Sequence, residues 1–242
     1  MRIEVWGQTD VGLKRDNNQD TFLIDSENGL YIVADGMGGH RGGEVASALA
    51  VQTVREIVLE TKNKNPSAHP RELLNYAYKE ASKRIFNVSQ MKEDLRGMGT
   101  TMVVSLFRDD TFFIANVGDS RVYLYSSPHG YWQLTEDHSL LYEHLRAGLL
   151  REKDIPHFVS RNIITRSVGF EPEVTPDIIE RKMNVGEMLI MCSDGLSGLV
   201  SDERVAEICA KNSHTEIVPV LIREAKKNGG DDNVTAILLV AE

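Results

Sequence analysis

The sequence predicts an α+β fold in which two antiparallel β-sheets form a central sandwich and helix pairs cover both outer faces. Strand-like segments come in blocks along the chain, the long helix-like segments come in pairs, and single strands do not alternate regularly with single helices. These observations favour a four-layer α/β/β/α arrangement. The chain has 242 residues, which suits one large domain over residues 1–242 and is short for two.

The first part of the chain predicts a strand, a hairpin and two long helices. Ile3 and Val5 alternate with Glu4, as in a half-buried strand. Residues 21–24 and the apolar run 31–34 that leads to Asp35 are separated by a turn, so we expect them to pair as a hairpin. Apolar residues at spacings of three and four then predict amphipathic helices. Those helices are expected at about 44–60 and from Pro70 to about 88.

The second part begins with four short strands, for which we predict an antiparallel meander: 102–107, 111–117, 121–125 and 131–134. A polar segment with helical spacing follows at 139–158, and we expect it to belong to a small flap at approximately 139–169. Two more strands are expected at 173–181 and 187–192. Ser201 and the capping-box sequence Ser213–Glu216 indicate two helix starts, and the final strand is expected at 233–240.

Composition excludes several classes of protein. The net charge is −9, from 36 acidic and 27 basic residues, which argues against nucleic acid as a partner. No apolar stretch approaches the ~18–20 residues that would span a membrane, and Glu4 interrupts what would be a signal peptide. Cys192 and Cys209 lie outside any C-x-x-C pair, so we expect reduced thiols in a cytoplasmic protein.

Four aspartates lie where an apolar, strand-like run meets a turn: Asp35, Asp119, Asp194 and Asp232. Asp-Gly is a common turn signal, so any one of these positions could be only a turn. Four carboxylates that converge on one rim of a sheet would repel one another and would need a cation. Oxygen ligands of this kind suit Mg²⁺, Mn²⁺ or Ca²⁺ rather than zinc.

The glycine-rich segment 35–40 follows a strand and precedes a helix, as phosphate loops do, but it matches neither the dinucleotide nor the P-loop pattern. A metal site explains it better, with Asp35 supplying carboxylate oxygen and Gly36 its carbonyl. His40 is a candidate general acid beside such a site. Arg15 carries the planar fork that binds phosphate oxygens.

Together these motifs resemble the PPM (type 2C) metal-dependent protein serine/threonine phosphatases, in particular the short stand-alone bacterial type. The resemblance extends from about Gly7 to Val240. The matching segments, in order, are Arg15-x-x-Asn18-Gln19-Asp20, Asp35-Gly36-Met37-Gly38-Gly39-His40, Gly43-Glu44-x-Ala46-Ser47, Gly97-Met98-Gly99-Thr100-Thr101, Asn116-Val117-Gly118-Asp119-Ser120-Arg121, Leu134-Thr135-x-Asp137-His138-Ser139, Ile164-Thr165-Arg166-Ser167-Val168-Gly169, Cys192-Ser193-Asp194-Gly195-Leu196 and Gly229-Gly230-Asp231-Asp232-Asn233-Val234-Thr235.

The resemblance implies a site with two core Mn²⁺ or Mg²⁺ ions at one edge of the sandwich. Asp35 corresponds to the ligand that bridges the ions, and the Gly36 carbonyl binds the second ion. Asp194 and Asp232 complete the protein ligands of the first ion. Asp119, together with Asp194, corresponds to a possible third metal site.

Other residues acquire expected roles from the same resemblance. Arg15 corresponds to the phosphate-binding arginine and His40 to the general acid. Gln19, Asp20 and Asn233 are expected to lie behind the ligands and to support them. Gln19 departs from the commoner family pattern, in which a glutamate at this position holds metal-bound water.

The expected function is hydrolysis of phosphoserine and phosphothreonine in proteins by a metal-activated water, without a covalent intermediate. The expected partners are phosphorylated proteins, the substrates of serine/threonine kinases, and the enzyme is expected to act as a monomer. One alternative is a catalytically inactive module of the same fold that binds phosphoproteins or metal. A calcium-binding structural protein is disfavoured because no EF-hand loop is present, and a cysteine phosphatase because neither cysteine begins a C-x₅-R loop.

Overall fold

The computed structural model describes residues 1–38, 42–127, 129–158, 160 and 163–242. Along the chain the strands are β1 (Ile3–Asp10), β2 (Asp20–Asp25), β3 (Leu30–Met37), β4 (Gly99–Thr100), β5 (Met102–Arg108), β6 (Thr111–Val117), β7 (Arg121–Ser126), β8 (Gly130–Gln133), β9 (Asp177–Lys182), β10 (Met188–Cys192) and β11 (Val234–Ala241). The α-helices are α1 (Gly42–Lys64), α2 (Pro70–Met91), α3 (Leu140–Arg146), α4 (Asp194–Ser197), α5 (Asp202–Lys211) and α6 (His214–Lys227), and 3₁₀ turns lie at Glu93–Leu95 and Glu152–His157.

Two antiparallel sheets form the centre of the molecule. One sheet has the strand order β1-β11-β10-β7-β8, and the other has the order β2-β3-β5-β6-β9 with β4 paired to β3. Helices α1 and α2 cover the outer face of the second sheet, and α5 and α6 cover the outer face of the first. A third apolar core lies between the sheets. The predicted four-layer α/β/β/α arrangement is confirmed.

The central strands are apolar without alternation because both of their faces are buried. On β3, Ile32 packs towards α1 and α2, whereas Tyr31 and Val33 pack between the sheets. Strand β11 does the same, with Leu238 facing the outer helices and Leu239 facing the opposite sheet. Such strands appear in a sequence as continuous apolar runs, and the run before Asp35 is one of them.

The predicted hairpin of β2 and β3 is confirmed, but the predicted meander is wrong. Strands β5 and β6 belong to one sheet, and β7 and β8 belong to the other. The chain crosses between the sheets at residues 118–120. Gly118 has a φ of +106°, and a Cβ there would lie 2.5 Å from the Cβ of Thr101, so this crossing requires glycine. Asp119 stands on the crossing.

Three local predictions need correction. The segment predicted as helical at 139–158 forms only the short helix α3 and a 3₁₀ turn. The strand predicted from residue 173 begins at Asp177. The Ser213 hydroxyl does not cap the backbone of α6 and instead lies 3.0 Å from a carboxylate oxygen of Glu216.

The ends of the expected flap lie side by side. The amide of Leu140 donates to the carbonyl of Ile163, and the amide of Thr165 donates to the carbonyl of His138. The treatment of 139–169 as a separate flap, like the single-domain assignment, stays a prediction.

Of the helices formed by the described residues, none combines the length and the hydrophobicity that a membrane span requires.

Candidate metal centre

Strand ends from both sheets bring acidic side chains to one rim of the sandwich. Asp35 lies near the end of β3 and pairs in register with Asp20 at the start of β2. Asp194 follows β10 and Asp232 precedes β11, and these two strands are neighbours in the other sheet. Asp119 completes the group from the crossing between the sheets, and a cleft of about 280 Å³ is lined by Asp119, Asp194 and Asp232. The sequence-predicted aspartates therefore meet at one place.

Asp35 and Asp194 face each other directly. Their carboxyl groups lie within hydrogen-bonding distance, so a proton or a cation has to lie between them. Burial raises the pKa of Asp35 well above its usual range, and the charges of Asp20, Asp194 and Asp119 raise it further. Burial also raises the pKa of Asp194. A positive ion at this position would relieve the repulsion.

Three buried carboxylate oxygens at the rim have no hydrogen-bond donor among the described residues. They are Oδ1 of Asp20, Oδ1 of Asp119 and Oδ1 of Asp194. Buried polar atoms in native proteins nearly always have a partner. Because ionised carboxylate oxygens are acceptors only and these three lie in one acidic cluster, the partner that fits them is a cation or water held by one.

The donor set fits Mg²⁺ or Mn²⁺. Among the described residues, no group of three or more Asp, Glu, His or Cys side chains converges tightly enough to hold an ion unaided. Ions at this rim would therefore draw the rest of their ligands from water and backbone carbonyls. Mg²⁺ usually binds in this way, through one or two carboxylates and several waters.

Close packing of the backbone requires glycine at two positions of the rim. A Cβ on Gly36 would lie 2.0 Å from the carbonyl oxygen of Gly43, and a Cβ on Gly43 would lie 2.6 Å from the carbonyl oxygen of Gly36. The start of α1 therefore approaches β3 more closely than any side chain permits. This packing places the Gly36 carbonyl, a predicted ligand, at the end of the strand.

A hydroxyl network lies beneath the carboxylates. The hydroxyls of Thr235 and Ser193 donate to Oδ2 of Asp20, at 2.6 Å and 2.8 Å. The hydroxyl of Thr9 lies 2.7 Å from that of Thr235. Burial raises the pKa of Asp20 to about 6, although the two hydroxyl donors lower it. Ser193 and Thr235 were given no role from sequence, although both lie in matching segments, one residue before Asp194 and three residues after Asp232.

Asn233 connects the N-terminal loop to the rim. Its Oδ1 accepts from the backbone amide of Gln19 at 2.7 Å. Its Nδ2 donates to the carbonyls of Val11 and Asn17, at 2.9 Å and 3.0 Å. These bonds hold the loop that carries Arg15, whose Nη2 donates to Oδ2 of Asp232 at 2.7 Å. The guanidinium group is half exposed and borders the acidic cluster.

Asp119 is a buried member of the cluster. Burial and the charges of Asp194 and Asp137 raise its pKa to about 7. Arg121 is bound to Asp137 through Nε and Nη2, with distances from 2.6 to 3.1 Å. Both Arg121 and Asp137 line the same cleft, although sequence reasoning did not select them. The predicted general acid, His40, lies outside the described residues.

Carboxylates that suit divalent cations, beside an exposed arginine that suits phosphate, are the chemistry of a metal-dependent phosphoester hydrolase. Comparison with known proteins agrees. The family model for protein phosphatase 2C matches residues 14–238. The chain is 38% identical over 236 residues to the serine/threonine phosphatase stp of Listeria monocytogenes serotype 4b, covering 96% of this chain and 93% of that protein. It is 35% identical over 241 residues to the protein phosphatase PhpP of Streptococcus pneumoniae, covering 98% and 97%.

Solved structures show the same similarity. The Mycobacterium tuberculosis serine/threonine phosphatase PstP/Ppp has a TM-score of 0.91 and 31% identity to this chain, with 100% of both chains covered. The catalytic domain of PstP in complex with two manganese ions has a TM-score of 0.87 and 30% identity, with 99% of both chains covered. The chain belongs to the protein phosphatase 2C family, and it is a serine/threonine protein phosphatase.

The raised pKa of Asp119 predicts a pH dependence of stability in metal-free buffer. Asp119→Asn removes a carboxyl group whose pKa is about 7 in the folded protein and about 3.9 when unfolded. The stability that this proton contributes is complete below the unfolded pKa and is lost as pH rises through the folded value. Relative to wild type, Asp119→Asn should therefore gain unfolding free energy between about pH 4 and pH 7, on the order of 1–4 kcal/mol.

Urea unfolding in chelator at several pH values measures this difference. Asp109→Asn is the matched control, because Asp109 is exposed and its φ of +51° suits asparagine. A difference between Asp119→Asn and wild type that stays constant across this pH range would show that Asp119 is not a strained buried carboxyl group.

Proposed function

We propose that this chain hydrolyses phosphoserine and phosphothreonine esters in proteins at the acidic rim, with two Mn²⁺ or Mg²⁺ ions as cofactors. The observation that carries the proposal is the pair of facing carboxyl groups of Asp35 and Asp194, surrounded by buried oxygens without donors. Such an arrangement is unfavourable in a protein unless protons or cations neutralise it, and at neutral pH divalent cations fit these oxygens. The exposed guanidinium of Arg15 at its border adds a group that binds phosphate.

The proposed ligands of the two core ions are Asp35, the Gly36 carbonyl, Asp194 and Asp232. When bound, the ions would supply a water of lowered pKa and positive charge to neutralise the phosphoryl oxygens. Asp119 and Asp194 would hold a third ion, because both line the same cleft and the charge of Asp194 raises the pKa of Asp119.

Arg15 would bind the phosphoryl oxygens of the substrate. Its fork can make two parallel charge-assisted hydrogen bonds, and its contact with Asp232 keeps it beside the metal ligands. Asn233 supports this position by holding the loop from Val11 to Gln19. Asp20 lies behind the ligands and is oriented by the hydroxyls of Ser193 and Thr235. The backbone amide of Gln19 donates to Oδ1 of Asn233.

His40 would donate a proton to the departing serine or threonine oxygen. The proposal rests on its position in the sequence, five residues after Asp35 and just before α1. An alkoxide is a poor leaving group, so protonation as the bond breaks is typically worth ~10²–10⁴-fold in rate.

We also propose that the substrates are proteins phosphorylated by serine/threonine kinases, and that the enzyme acts as a cytoplasmic monomer. The two buried free cysteines support a reducing compartment. A rim formed from strands of one chain supports activity without a second subunit. The net charge of −9 supports protein substrates rather than nucleic acid.

Turnover of a phosphothreonine peptide should require Mn²⁺ or Mg²⁺, stop in chelator and fail with Ca²⁺, whose longer and looser coordination polarises water poorly. Asp35→Asn should keep less than about a tenth of the wild-type rate, since it removes a shared ligand. Phosphate release measured for wild type, Asp35→Asn and the control Asp109→Asn tests both expectations. Full turnover after exhaustive chelation, or a normal rate for Asp35→Asn, would contradict the proposal.

His40→Ala should lower the rate on a phosphothreonine peptide by ~10²–10⁴-fold and the rate on para-nitrophenyl phosphate much less, because nitrophenolate leaves without a proton. Single-turnover rates on both substrates give the comparison. His129→Ala, at an exposed turn, is the control and should match wild type. Equal losses on both substrates would assign His40 to positioning rather than to acid catalysis.

A further inference from the structure

A groove of about 480 Å³ adjoins the acidic rim on the side of β3. One wall is Met37 at the end of β3, and the other wall is formed by residues 164–175. We call it the acidic groove and define it by Met37, Arg166, Phe170, Glu171, Glu173 and Val174. Its volume is in the range of sites that bind ligands.

Backbone hydrogen bonds connect the acidic groove to the proposed metal ligands. The carbonyl of Asp35 accepts from the hydroxyl of Thr100 and the amide of Thr101, both at 2.8 Å. Thr100 also exchanges two backbone hydrogen bonds with Val168, at 2.8 Å and 3.0 Å. Val168, in the wall of the groove, is therefore paired with Thr100 at the usual strand spacing of about 4.8 Å. Thr100 in turn contacts Asp35.

The wall is rigid. The hydroxyl of Ser82 on α2 accepts from the amide of Gly169 at 2.9 Å and donates to the carbonyl of Glu171 at 2.7 Å. Gly169 has a φ of +96°, and a Cβ there would lie 2.1 Å from the side chain of Ile85. These contacts hold the wall in one conformation, so the groove is formed before any ligand arrives.

The charges in the acidic groove are unbalanced. Arg166 is compensated by Asp177, since its Nη1 lies 3.2 Å from a carboxylate oxygen. Glu171 and Glu173 are exposed, and neither of their carboxylates forms an ion pair or a hydrogen bond with another described residue. Phe170 beside them is 62% exposed. The groove thus presents two negative charges next to an aromatic ring.

Two carboxylates beside an aromatic ring favour a basic side chain as the ligand of the groove. Lysine and arginine side chains have an apolar stem that packs on hydrophobic surface and a cation that carboxylates attract. An aromatic face adds a cation–π contact. An anionic group such as a second phosphate would be repelled. Met37 lies two residues beyond Asp35, about 6.6 Å along the strand, which is the span of two residues of an extended substrate chain, and the wall of the groove lies beyond Met37.

We propose that the acidic groove binds the substrate chain beside the phosphorylated residue and selects lysine or arginine two or three positions away from it. This inference rests on the proposed function, because it places the phosphorylated residue at the rim. It makes Glu171 and Glu173 specificity-determining residues for basic phosphorylation sites.

A binding measurement tests the inference independently of turnover. The probes are two fluorescent peptides that carry a non-hydrolysable phosphonate analogue of phosphothreonine and differ only in having arginine or glutamate at the flanking positions. Fluorescence anisotropy with wild type in Mn²⁺ buffer should show about tenfold tighter binding of the arginine peptide, as two exposed ion pairs would produce. The double variant Glu171→Gln/Glu173→Gln should reduce that preference to about twofold.

A matched control has the same change in net charge at the other end of the molecule. Glu27→Gln/Glu242→Gln alters the turn before β3 and the end of β11, and Glu27 is separated from Met37 by the length of β3, about 23 Å. This control should keep the tenfold preference. Equal binding of the two peptides to wild type would overturn the inference, as would an unchanged preference in the groove variant or an equal loss in the control.

Hydrolysis of the matching phosphothreonine peptides by wild type separates this inference from the proposed function. Turnover of both peptides at equal efficiency would contradict the groove and leave the phosphatase activity standing. A tenfold binding preference without any turnover would support the groove and contradict the proposed function.

Discussion

The structure depends on neutralising the repulsion between carboxylates at one rim of the sandwich. Asp35 comes from one sheet, and Asp194 and Asp232 come from the other, so the two sheets can meet at this edge only if their charges are neutralised. Burial raises the pKa of Asp35, Asp194 and Asp119, and repulsion by neighbouring carboxylates raises it further, so loss of the ions favours protonation of these groups. Divalent ions would neutralise the carboxylates at neutral pH and would also supply the chemistry of phosphate hydrolysis.

Hydrogen bonds between distant parts of the chain hold the repelling groups in place. Asp20 begins β2, yet its carboxylate is bound by Thr235 on β11 and by Ser193 before α4. Asn233 forms hydrogen bonds with the loop that carries Arg15 and holds it at the rim. The network joins the two sheets at the rim and orients the carboxylates that lie there. Such preorganisation means that little rearrangement is needed when ions and substrate bind.

Local sequence pattern predicts the features of this fold that depend on neighbouring residues. Apolar runs that end at Asp35, Asp119 and Asp194, and the run that begins just after Asp232, predicted both the buried strands and the convergence of carboxylates, because a buried strand begins and ends at a rim. Local pattern fails where the answer depends on distant partners. Spacing along the chain cannot show that β6 and β7 belong to different sheets, which made the meander prediction wrong. The contact of Thr235 with Asp20 spans 215 residues, and the hydroxyl network was therefore missed.

The most direct test of the central claim is calorimetric titration of Mn²⁺ into the metal-free protein. Wild type should bind at least two ions tightly and a further one weakly. Asp35→Ala should lose the tight binding, because it removes the ligand proposed to serve both core ions. Asp119→Ala should lose only the weakest event. Loss of the tightest event in Asp119→Ala, or unchanged tight binding in Asp35→Ala, would contradict the assignment of the rim.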